Sequence, residues 1–172
     1  MPDAVLQMEV REALREAVTE VLEKMFFIRA LEDPKAAAEL SKSASEFRDE
    51  SGIVARVRFH GEPSGVLSLR LDFPVARAIA ADFLAEEEPE LNTKQVEEVV
   101  AELANMVCGA VLSRVESAAT FRLDPPAIVD PGAAGSPLPE TAAHAFPICC
   151  GALTVKLWME ARACGLTEKS GY

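Results

Sequence analysis

TKQVEEVVAELANMVCGAVLSRVESAA, residues 93–119, reads as one long amphipathic helix. At about 100° per residue, Val96, Val99, Val100, Leu103, Val107, Ala110 and Val111 gather into one apolar stripe. Glu98, Glu102, Asn105, Gly109 and Ser113 gather opposite it. That outer row is unusual for a merely solvated face. Glu98 and Glu102 stand at i, i+4, where like charges repel by about 0.2–0.5 kcal/mol. Asn105 and Gly109 are poor helix formers, and a glycine costs about 1 kcal/mol against alanine in a helix interior. The row therefore presents a carboxylate, a carboxamide and a bare backbone patch one turn on, which is the chemistry of a docking face.

Around this helix the chain divides into two comparable halves. Asp3 to Phe27 predicts a first helix, with Val10, Leu14, Ala17, Val21 and Met25 as its stripe, Phe26 and Phe27 extending the apolar end, and Glu12, Glu16, Thr19 and Glu23 as its polar row. The polar stretch Glu32 to Gly52 has room for a short helix. In IVARVRFH, Ala55, Val57 and Phe59 alternate with Arg56, Arg58 and His60, the period of a half-buried strand. A Gly61-to-Gly65 turn leads to VLSLRL, a second alternating strand. Pro74 to Ala85 predicts another helix, ended by the acidic Glu86 to Glu90 run, and Thr93 is the expected N-cap of the long helix.

After the long helix, FRLD and AIVD read as strand pieces split by Pro125 and Pro126. Asp130 to Thr141 is a Pro/Gly loop, and AHAFPICC with ALTVKLWM forms a hairpin around Gly151. Each half opens on a long helix and continues in strands, a loose internal duplication divided near Pro89 to Asn92. The expected fold is α+β: one domain over residues 1–172, with a mixed or antiparallel sheet and long helices on one face.

Composition narrows the function. The 172 residues are 49% hydrophobic and 26% charged, a globular balance. Net charge is 17 − 28 = −11, which speaks against a nucleic-acid partner because phosphate binding relies on cationic side chains. There is no apolar run of 18 residues to span a membrane and no cationic leader, so a cytoplasmic chain is expected. Cys108, Cys149, Cys150 and Cys164 lack metal-ligand spacing and are expected as reduced, buried small side chains. His60 and His144 are the two histidines, each more often structural than catalytic when it stands alone, and no G-x-S-x-G, G-x-G-x-x-G or G-x-x-x-x-G-K-[ST] motif occurs.

What remains is a face able to reach into another protein's active site. A carboxamide offers one donor and one acceptor, enough to hold and orient a water. Phosphoryl transfer needs such orientation and charge stabilisation more than covalent help. A carboxylate one turn away could pair with a partner's lysine, and Gly109 would admit the partner's backbone.

The run ELANMVCG within Glu97 to Val115 resembles the signature helix of the CheC/CheX family of chemotaxis phosphatases, closest to the CheX type. The order of elements is similar too, and Pro126 precedes an apolar strand as in the family; Glu98 stands where the family usually has Asp or Ser. The resemblance implies a phosphatase for the aspartyl phosphate of a response-regulator receiver domain of the CheY kind. It implies Glu102 as the residue that salt-bridges the receiver's lysine and Asn105 as the one that aligns the attacking water, with Glu98 and Gly109 beside them at the docking surface. It implies no cofactor of the chain's own, Mg²⁺ on the partner receiver, and a homodimer formed by joining sheets. Glu16 and Thr19 repeat the spacing in the first helix without the amide, so one site per chain is expected. The contrasting readings are a non-catalytic module that holds a receiver or a flagellar switch component, and a structural dimer without a receiver partner.

Overall fold

The computed structural model describes residues 2–29, 35, 39, 52–115, 120–130, 142–148 and 151–160. Three helices stand out among them: α1 (Pro2–Met25), α2 (Phe73–Leu84) and α3 (Thr93–Val115). The strands are β1 (Gly52–His60), β2 (Gly65–Asp72), β3 (Arg122–Leu123), β4 (Ala127–Val129), β5 (Ala142–Ile148) and β6 (Gly151–Met159), and a 3-10 turn spans Glu88–Glu90. Cys149, Cys150, Cys164, the whole 131–141 loop and the 32–51 stretch apart from Lys35 and Glu39, which are helical, lie outside the described residues.

Every strand pairing among the described residues is antiparallel, which resolves the mixed-or-antiparallel expectation there. The order is β3-β1-β2-β6-β5, with β4 also on β1. β3 and β4 share the outer edge of β1 in two registers. Phe59 pairs with Leu123 while Arg56 pairs with Ala127, so the outer strand gains one residue between them. That bulge is Asp124-Pro125-Pro126, where prolines have no N–H to lose from the ladder. Across β1 at this same end, Gly65 opens β2 opposite Phe59, and a Cβ there would fall 2.1 Å from the Trp158 carbonyl oxygen. Only glycine fits that approach.

The duplication is visible in three dimensions. β1–β2 and β5–β6 are hairpins that meet through the β2–β6 pair. α1 packs on β5 and α3 packs on β1, so each long helix lies over the outer strand of the other half. The inward row of β1 (Ile53, Ala55, Val57, Phe59), that of β2 (Leu67, Leu69, Leu71) and that of β6 (Leu153, Val155, Leu157, Met159) join the helices in one core. The outward row carries Arg56, whose Nε donates to Ser68 Oγ at 3.2 Å, with Arg58, Lys156 and a partly buried Trp158.

Helix ends differ from the sequence reading in two places. The N-cap of α3 is Asn92, not Thr93. Asn92 Oδ1 accepts from the Gln95 backbone N–H at 2.8 Å and Gln95 Oε1 accepts from the Asn92 N–H at 2.9 Å, a reciprocal capping box. In α1, Val10, Leu14, Ala17 and Val21 are buried as expected, but Met25 is 48% exposed and Phe27 90% exposed. The buried stripe runs instead through Val18, Leu22 and Phe26. The chain leaves α1 through Phe27 in the left-handed region (φ 55°), where the Ile28 N–H reaches back to Leu22 O at 2.9 Å. Among the described residues no helix is long and apolar enough to cross a membrane.

Candidate functional site

α3 is seated deeply. Val96, Val99, Val100, Leu103, Ala104, Val107, Cys108, Val111 and Leu112 are buried, so only a narrow strip of its circumference meets solvent. Ala110 is half-buried rather than buried, while Ala104, Cys108 and Leu112 widen the buried side beyond the expected stripe. Truncating a fully buried leucine such as Leu103 costs about 2–5 kcal/mol, so this seat fixes the helix firmly.

The solvent strip holds the row read from the sequence. Glu98, Glu102 and Ser113 are exposed, and Asn105 and Gly109 are half-buried. With a rise of about 1.5 Å per residue, Glu102 and Asn105 lie about 4.5 Å apart along the axis. Neither Glu102 nor Asn105 has a hydrogen-bond or ion-pair partner among the described residues. Around Gly109 a Cβ would meet nothing within 4 Å. Its carbonyl accepts from Ser113 Oγ at 2.9 Å, so the polar group on that bare patch is occupied. Met106 packs partly against the core on the other flank.

Glu98 has a neighbour that sequence reasoning passed over. Lys94 Nζ lies 3.8 Å from its Oε1, an exposed i, i+4 pair worth well under 1 kcal/mol. That pair draws Glu98 toward the start of the helix and relieves part of its repulsion with Glu102. The spacing of Lys94 and Glu98 was the available signal.

The corresponding face of α1 is committed within the molecule. Arg114, near the end of α3, bonds Glu20 through Nη2 and sits 3.8 Å from Glu16 through Nε. Thr19 Oγ1 donates to Arg15 O at 2.9 Å, a local helix contact. Glu12 pairs with Arg15 at 2.5 Å. No position in this row carries an amide.

The other reactive side chains are placed elsewhere. Cys108 is buried, and burial pushes its thiol up to about 12, so it is no nucleophile at neutral pH. His60 Nε2 and Asp124 Oδ2 are 2.9 Å apart on the outer face, where they tie β3 to β1. His144 lies on the inner face beside Phe146, with ring centroids 4.6 Å apart, and burial foremost lowers its pKa. Among the described residues no three His, Cys, Asp or Glu side chains are grouped to hold a metal.

Helices laid on one face of a twofold-like antiparallel sheet, with an acid and an amide free on a helix surface, define a protein of the CheC-like class. Solved structures share this fold. CheX from Vibrio vulnificus superposes with a TM-score of 0.65 at 19% identity, covering 90% of this chain and 98% of that one. The CheX of a CheX–CheY–BeF3–Mg²⁺ complex from Borrelia burgdorferi does so at 0.62 and 18%, over 87% and 97%. A CheC-like superfamily protein from Shewanella sp. PV-4 gives 0.60 and 16%, over 89% and 98%. No curated protein sequence matches the chain. The family model for chemotaxis phosphatase CheX matches residues 53–146, more than half of the chain. The protein belongs to the CheX family.

Proposed function

We propose that this chain accelerates hydrolysis of the aspartyl phosphate on a CheY-like receiver domain. In this reading α3 docks on the receiver, Glu102 pairs with a receiver lysine, and Asn105 holds the attacking water in line with the phosphoryl group. The observation that carries it is the pairing of an exposed Glu102 with a half-buried Asn105, neither committed to a partner among the described residues, on a helix whose other faces are buried. A half-buried side chain has less freedom to lose on docking than a fully exposed one, which favours orientation of a water. The Mg²⁺ of the reaction is the receiver's, and this chain supplies no nucleophile and no cofactor. The CheY partner of the Borrelia burgdorferi complex supports the receiver class. The reading makes the protein a cytoplasmic homodimer, joined through the edge of the sheet, and leaves α1 without a second site, since Glu16 and Glu20 are bound to Arg114.

The test follows phosphate loss from a panel of phosphorylated CheY-type receivers with the purified protein and with Asn105→Ala. Loss of one preorganised group lowers turnover about 10²–10³-fold in comparable sites. A wild-type protein that leaves every receiver at its spontaneous rate, or an Asn105→Ala protein as active as wild type, refutes the mechanism. Receiver binding without acceleration would instead establish the non-catalytic module.

A further inference from the structure

The strip of α3 that meets solvent is polar or small along almost all of its length. Between Glu97 and Arg114, Met106 is the one apolar side chain larger than alanine that reaches solvent. Part of it packs against the core and the rest is open. The aliphatic side chains on either side of it, Leu103 and Val107, are fully buried. Met106 therefore keeps an apolar edge beside the row that carries the acid and the amide.

Its place relative to Glu102 follows from helix geometry. Residues four apart are surface neighbours, with about 5–6 Å between Cβ atoms. Helical side chains lean toward the N-terminus, so a long side chain at 106 lies over the turn that carries Glu102. Asn105 is the residue before it. The strip has no other cover to offer there: Ala101 and Ala110 end at Cβ and Gly109 has none. The cations of α3 are placed elsewhere, Lys94 beside Glu98 and Arg114 on Glu16 and Glu20. An ion pair left open to water contributes little, because solvent screens both charges and two flexible side chains must be held. We propose that Met106 is a positioning residue that acts through Glu102: it lies against the receiver and shields the Glu102–lysine pair from water. This rests on the proposed function. The flexible thioether follows the contour of the surface that arrives. As water leaves one side of the pair, the attraction between its charges strengthens and holds the register in which Asn105 meets the phosphoryl group.

The experiment is a double-mutant cycle between Met106 and Glu102. Kd is measured for the receiver that wild type dephosphorylates fastest, loaded with beryllofluoride and Mg²⁺, and kinetics are followed on its phosphorylated form. Met106→Ala is expected to raise Kd and KM about tenfold, the loss of a moderate hot spot, and to change kcat less than about threefold. In a Glu102→Gln background the same change should raise Kd less than about threefold, since no charge is left to shield. Met106→Leu, of similar volume, should bring Kd back to within about threefold of wild type. Melting curves establish that each variant is folded, and Met106→Gln, which keeps the length and admits water, replaces Met106→Ala if that protein does not fold. Equal losses in the two backgrounds would make Met106 an independent contact or a structural residue and overturn the inference. A wild-type Kd in Met106→Ala would do the same, as would Met106→Leu binding as weakly as Met106→Ala. Each of those results leaves the function reading standing. A wild-type Kd in Glu102→Gln removes the lysine pair itself, and both readings then fall together.

Discussion

Gly109→Ala separates what the helix wants from what the partner needs. A methyl group at this position meets no atom within 4 Å, so it carries no steric cost in the free protein. The Ser113 hydroxyl bonds the backbone oxygen of Gly109 and is left in place. The change therefore yields the intrinsic helix gain of about 0.5–1 kcal/mol. For a chain of this length that is about 1–4 °C in melting temperature. The same methyl stands one turn beyond Asn105 on the solvent strip, where the receiver's backbone would approach. Displacing a docked surface by about 1 Å at a site that works by orientation costs up to about 10²-fold. We expect a more stable protein whose kcat/KM on the phosphorylated receiver falls about 10–100-fold, read by differential scanning calorimetry and by phosphate release. A variant that gains stability and keeps full turnover refutes the role of the bare patch. One that loses stability refutes the open space around Gly109.

Two further outcomes follow from the geometry. Asn92→Ala removes the acceptor for the Gln95 N–H and should cost about 1 kcal/mol in urea denaturation, whereas Thr93→Ala should stay within about 0.5 kcal/mol; the reverse ranking would restore Thr93 as the cap. Asp124 is held below the usual carboxylate value, first by its hydrogen bond from His60 and then by the charges of His60, Arg122 and Arg58. Because the folded value lies below the unfolded one, its contribution is complete above the ordinary carboxylate range and is lost as pH falls through the folded value. Carboxyl NMR should place the Asp124 midpoint below about 3.9 and show it rising in His60→Ala; a midpoint indifferent to His60 would refute the pairing.

The helices and strands were legible wherever one face alternates cleanly with the other. Ala55, Val57 and Phe59 against Arg56 and Arg58 set β1 and its inward side, and the apolar stripe of residues 96–111 set α3. The acid–amide row was legible for the same reason, since position on a helix surface follows from spacing. Contacts that cross the chain were not. Nothing near Arg114 in sequence announces Glu16 or Glu20, so the commitment of the α1 row is a finding of the structure. The end of α1 misled because Met25, Phe26 and Phe27 are equally apolar; the left-handed turn at Phe27 sends one ring inward and its neighbour outward. The cap of α3 was one residue off because Asn92 and Thr93 are both good caps, and only Gln95, three residues after Asn92, distinguishes them.

The exchange of helices between halves gives the acid–amide row two parents. Its residues are encoded after Asn92, but the floor under them includes β1, with Ala55 and Val57 fully buried beneath the helix layer. A transplant of ELAN into another scaffold would therefore carry the acid and the amide and leave behind the surface that holds their helix. Substitutions in the front portion of the chain can tilt that helix without touching Glu102 or Asn105.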